Sequence, residues 1–135
     1  MQMIMVVLMV AAQGFTASTG AADSVADLLL YGGDQRDVFL GCLSCSETHR
    51  DSVHNRFGQY GNPFSGKSLL NNFVIYRNPV SPLSACNALA LQPPIIVGRD
   101  GRFYGELTTN EVRSKRTTIK PALRWLALLC ADKLD

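Results

Sequence analysis

Four cysteines and two histidines are the residues whose type and spacing suggest chemistry. Cys42 and Cys45 form a Cys-x-x-Cys pair, Cys86 and Cys130 stand apart, and His49 and His54 follow the pair. A dithiol of this spacing serves thiol–disulfide exchange, haem attachment or metal ligation. Exchange motifs of the thioredoxin kind open a helix after a strand in a βαβ setting. Here the pair leads into Ser46-Glu47-Thr48 with no such setting around it. Haem attachment needs a histidine directly after the second cysteine, and Ser46 holds that place.

Two readings are left for the cysteines. Structural zinc takes four Cys or His ligands in a tetrahedron, often with a Cys-x-x-Cys knuckle. Cys42 and Cys45 would be that knuckle, completed by Cys86 and His54. Cys130 then lies on the apolar face of a C-terminal helix, as a small buried hydrophobe. The other reading is disulfide bonding, the ordinary fate of four cysteines in an exported chain. Four cysteines allow three pairings, and spacing does not choose among them. No acid–base pair, nucleophile triad or glycine-rich phosphate loop accompanies them, and the chain reads as a non-enzyme.

The elements that must position these residues are built around an internal repetition. Ser52, Asn55, Phe57, Tyr60, Asn62-Pro63 and Ser65 recur sixteen residues later as Ser68, Asn71, Phe73, Tyr76, Asn78-Pro79 and Ser81. Ser84, Asn87 and Leu89 carry the pattern into a third unit. Each serine is expected to cap a short helical turn, with Gly58 supplying the left-handed residue that ends the first. The aromatic at the sixth position and the tyrosine at the ninth are expected to anchor each unit in the core. His54 and Cys86 share a phase, two residues after their serines, which is why His54 rather than His49 joins the zinc set. Leu70 stands at that phase in the middle unit.

Hairpins flank the repeats. Leu28–Tyr31, a Gly32-Gly33-Asp34 turn and Val38–Leu43 read as strand, turn and strand. Ile95–Val97, Arg99-Asp100-Gly101 and Phe103–Thr108 read the same way. Phe39-Leu40-Gly41 matches Phe103-Tyr104-Gly105 at an offset of sixty-four, four repeat lengths. The expected fold is α+β: one small antiparallel sheet from the two hairpins, a loop-rich repeat region between them, and a helix over 119–134 packed on the sheet. Pro121 suits that helix's first turn. Ala122, Leu123, Leu126, Leu129 and Cys130 would form its apolar face, widened by Trp125 and Leu128.

The first residues read as an address. Met3–Ala12 is an unbroken apolar run, too short to span a bilayer but suited to a secretory signal peptide over 1–22. No Lys or Arg precedes it, which departs from the usual pattern. The remaining 23–135 are room for a single domain, with a hairpin over 28–44, repeats over 51–97 and a second hairpin over 95–109. The expected location is periplasmic or secreted, and no later apolar run is long enough to anchor the mature chain. Thirteen basic against eleven acidic residues give a net charge of +2, too even to argue for nucleic acid or an anionic membrane as the main partner. Arg113, Lys115 and Arg116 read as a solvated linker before the helix.

The stretches Ser52–Ser65, Pro93–Val97 and Phe103–Asn110 resemble a group of small, mostly bacterial exported domains of uncharacterised function. That group's units run Ser-x-x-Asn-x-aromatic-Gly-x-Tyr-Gly. The resemblance covers Val38–Asn110 and implies export without implying an activity. It also implies a metal ligand at His54, since some members carry cysteine there. Val74 and Arg77 replace the glycines that the pattern places in the second unit, which puts that unit's turn geometry in question. The alternative to the zinc-held module is a disulfide-stapled envelope or adhesion module, presenting Tyr60, Phe64, Tyr76 and Tyr104 to an envelope or protein partner.

Overall fold

Short runs rich in β-branched and aromatic residues, broken by Gly-Asp and Asp-Gly turns, make four strands: β1 (Leu28–Gly32), β2 (Val38–Cys42), β3 (Ile95–Gly98) and β4 (Phe103–Glu106). They belong to a computed structural model that describes residues 27–134. The leader expected over 1–22 lies outside the described residues. The strands form one antiparallel sheet in the order β2-β1-β3-β4, so the two hairpins meet along β1 and β3. Leu29 stands opposite Val97 there, and Leu30 opposite Ile96. One helix, α1 (Lys120–Cys130), follows, with Pro121 in its first turn. The α+β class read from the sequence is the class observed.

The offset of sixty-four has a structural counterpart. Each hairpin shifts register once, opposite Leu30/Tyr31 in the first and Ile96/Val97 in the second. Gly41 and Gly105 stand at these irregularities with φ of 117° and 108°. A side chain at Gly41 would come 2.8 Å from Val53 Cγ1, and one at Gly105 would come 2.5 Å from Thr117 Cα. One residue later, Cys42 and Glu106 make matching parallel bridges, to Ser52 and to Arg116. The backbone N–H groups of Cys42 and Glu106 donate to the Asp51 and Lys115 carbonyls, both at 2.7 Å.

Between the hairpins the chain forms no helix. Residues 43–94 run instead as a succession of hydrogen-bonded turns, joined to the sheet by the Ser52 bridge. The serines cap nothing helical. The hydroxyls of Ser52, Ser68 and Ser84 accept the N–H two residues on, from His54, Leu70 and Cys86, each at 3.0 Å. The side chains of Asn55, Asn71 and Asn87 work in both directions. Each Oδ1 accepts the N–H two residues on at 3.0 Å, from Phe57, Phe73 and Leu89. Each Nδ2 donates to the carbonyl six residues back, of His49, Ser65 and Ser81, at 2.9–3.1 Å. Serine and asparagine suit this role because their short side chains offer the backbone a partner where no ladder exists.

Gly58 does not take the left-handed conformation expected of it; it is needed because a side chain there would stand 2.9 Å from the Arg50 carbonyl. Val74 and Arg77 keep the turn geometry of Gly58 and Gly61. The Val74 and Arg77 N–H groups bond the carbonyls three back at 3.3 and 3.1 Å, as the two glycines do at 3.1 and 3.3 Å.

The core lies between sheet, turns and helix. Leu30, Leu40, Ile96 and Leu107 come from the sheet side and Ala122, Trp125, Leu126 and Leu129 from α1. The turns contribute Val53, Leu69 and Ala85, the residue after each repeat serine, and all three are fully buried with their serines. Leu128 faces solvent, so the apolar stripe of α1 is narrower than its sequence suggests. Arg77 ties the turns to the helix end, donating to the Leu70 and Leu129 carbonyls at 2.8 Å each. The guanidinium adds a second donor to the Leu129 carbonyl, which also accepts the Asp132 N–H at 3.1 Å.

Candidate functional site

The structure pairs all four cysteines. Cys42 bonds Cys45 at 2.02 Å and Cys86 bonds Cys130 at 2.01 Å, so Cys130 is not the free core thiol that its helical position suggests. A disulfide sulfur cannot act as a thiolate ligand, and this counts against the expected zinc site at Cys42, Cys45, His54 and Cys86. The geometry counts against it too. Among the described residues the one cluster of potential ligands is Asp27, Cys42 and Cys45, without His54 or Cys86. The Asp27 carboxylate is itself engaged, accepting from Arg99 Nε.

His54 holds a structural place. Its Nε2 lies 2.8 Å from the Leu43 carbonyl, which makes Nε2 the protonated nitrogen, and its ring stands edge-on to Trp125 at 6.2 Å. It walls a cavity of about 320 Å³ whose other sides include Leu28, Leu43, Ile119 and Trp125. His49 accepts the Asp51 N–H at Nδ1, fixing a turn. The shared phase of His54 and Cys86 does not bring them together, because Cys86 is bonded to α1 at Cys130 and His54 rests on Trp125.

The sixth-position residues are reversed from expectation. Phe57, Phe73 and Leu89 are 97%, 90% and 85% exposed, and a second matched set, Phe64 and Val80, is 90% and 82% exposed. Tyr60 is buried, with its ring 4.8 Å from that of Phe39, and Tyr76 packs against the core. Burial raises the hydroxyl pKa of both tyrosines, and the charge of Asp51 adds to the effect at Tyr60. Of the four residues expected to present a contact surface, Phe64 does so most fully; Tyr60 does not. Each of these five residues stands two positions after an asparagine whose Oδ1 holds its N–H, including Asn62 to Phe64 and Asn78 to Val80 at 2.9 Å each. Folding therefore fixes these side chains outward. Burying one such side chain is worth about 1.5–3 kcal/mol, so each of the five would gain from a surface that covered it.

Charge along this stretch of sequence is one-sided. From Ser52 to Arg99 the sequence has no Asp or Glu, while Arg56 precedes the first exposed residue and Lys67 and Arg77 lie between later ones. Arg77 is buried, Arg56 is half-buried beside Glu47 in one cavity, and Lys67 is exposed. The even overall balance conceals this segregation.

A further group went unmarked in the sequence. Glu106, buried on β4, accepts from Arg113 Nε at 2.9 Å and Nη2 at 3.1 Å, and from Arg36 Nη2 at 3.1 Å. The pairing with Glu106 raises the pKa of Arg113. Arg113 also donates to the Ala90 and Leu91 carbonyls, and Arg116 to that of Thr108. Arg113 and Arg116 of the basic run before α1 are thus structural clamps rather than parts of a solvated linker, while Lys115 stays exposed. Comparison of the chain with protein-family models, with curated proteins and with solved structures finds no match.

Proposed function

We propose that this chain is an exported, disulfide-stapled contact module that carries out no chemistry of its own and docks onto an anionic lipid surface of the cell envelope through the outer residues of its turns. The observation that carries this reading is the matched set of exposed apolar side chains, Phe57, Phe73 and Leu89 with Phe64 and Val80, on an acid-free stretch with Arg56 and Lys67. Apolar residues held outward on rigid turns insert at a headgroup boundary, and the cations add attraction to anionic lipid. Two disulfides fit an oxidising compartment outside the cytosol. Among the described residues no helix is long and apolar enough to cross a membrane, so attachment would be peripheral.

The test is sedimentation of the oxidised chain with vesicles. Phosphatidylglycerol-containing vesicles should bind it, phosphatidylcholine vesicles at least tenfold less, and added salt should weaken the difference. Phe57→Ser combined with Phe73→Ser should reduce binding at least tenfold while thermal unfolding is unchanged. Binding equal to wild type in that variant, or none to either vesicle, overturns the reading. Concentration-dependent dimerisation that the variant abolishes would assign the surface to a second copy instead.

A further inference from the structure

Arg36 occupies a position that its backbone would give to glycine. It closes the turn of the first hairpin, its N–H donating to the Gly33 carbonyl at 3.1 Å, with φ at 53°. A left-handed residue other than glycine costs about 1–2 kcal/mol, so the turn alone does not call for arginine. The guanidinium instead reaches Glu106, seventy positions along the chain. Glu106 is already held by both of its oxygens through Arg113. One carboxylate therefore faces two guanidiniums, and one positive charge is left over. Lys115 lines the same cavity and brings a second. The Nε of Arg36 is buried and has no hydrogen-bond partner, a donor whose desolvation nothing offsets.

The cavity fits a ligand. Its volume is about 660 Å³, within the usual span of small-molecule sites. Arg36, Lys115 and Ser114 supply donors on its walls, while Phe103 and Leu91 supply an exposed apolar side. We infer that this cavity binds a small oxyanion, a carboxylate or phosphate group, through Arg36 and Lys115, with any apolar body of the ligand lying on Phe103. Arg113, spent on Glu106 and two carbonyls, holds the site in shape. This inference stands apart from the lipid-docking surface, since none of its residues belongs to the exposed turn positions.

Titration of the oxidised chain with inorganic phosphate and with benzoate, at constant ionic strength and against chloride, tests it by amide chemical shifts. Saturable shifts at Arg36, Ser114 and Lys115 are expected with one anion or both, and the tighter one identifies the preferred group. Arg36→Gly suits the turn and should keep the fold while weakening binding at least tenfold, with vesicle binding unchanged. Lys115→Gln, which retains the backbone bond from Glu106, should weaken it about threefold. No saturable shift with either anion, or wild-type affinity in both variants, overturns the inference.

Discussion

The two hairpins share a backbone and differ in what secures it. Gly41 and Gly105 mark the same irregularity, and Cys42 and Glu106 make the same bridge to the chain ten residues on. In the first hairpin the bridging residue is stapled to Cys45. In the second it is a buried carboxylate clamped by two arginines from distant turns. A covalent staple acts locally, across three positions, and leaves the rest of the chain free. The charge cluster reaches Arg36 in the first hairpin and Arg113 beyond the second, so it also fastens the hairpins to each other. One backbone motif thus carries a local lock on one side and a long-range one on the other.

The glycines test whether the motif itself is equivalent. Gly105→Ala should cost about 4 kcal/mol in urea unfolding, combining left-handed strain with a collision against backbone. Gly41→Ala should cost about 3 kcal/mol, because the nearest obstacle is the Val53 side chain, which can shift. Equal costs would mean that local strain alone decides. The locks come next. Glu106→Gln should lose about 3 kcal/mol, since two guanidiniums are left without their counter-charge. Hydrogen exchange should then rise in both hairpins. The Cys42–Cys45 bond closes only a short loop in the unfolded chain, so replacing both cysteines with alanine should cost about 2 kcal/mol. Exchange should rise in the first hairpin only. If it rises across the sheet, the distinction between local and long-range locks fails.

Much of this arrangement was legible. The strand alternation, the Asp-Gly turn and the apolar face of α1 gave the α+β class, and the sixty-four-residue offset matched the paired glycines and bridges. The direction of the turn residues was not legible. Helices and strands have faces set by periods of 3.6 and 2, whereas successive turns place residues by side-chain hydrogen bonds to the backbone. An aromatic such as Phe57 then points outward although its type suggests burial. Residue type misled in the same way at Cys130, whose helical position gives no sign of a partner forty-four residues earlier. The Glu106 clamp escaped notice because its arginines lie seventy residues before it and seven after it.

The bond between Cys86 and Cys130 has a mechanical consequence. It closes a ring of chain that contains β3, β4 and the whole of α1. A tension applied between the first hairpin and the C-terminal residues passes from Cys86 to Cys130 through sulfur and skips the ring. Those forty-four intervals, about 150 Å of extended chain, cannot be drawn out until the bond is reduced. Under such a pull the second hairpin would be loaded only sideways, through the β1–β3 ladder, and not along its own chain.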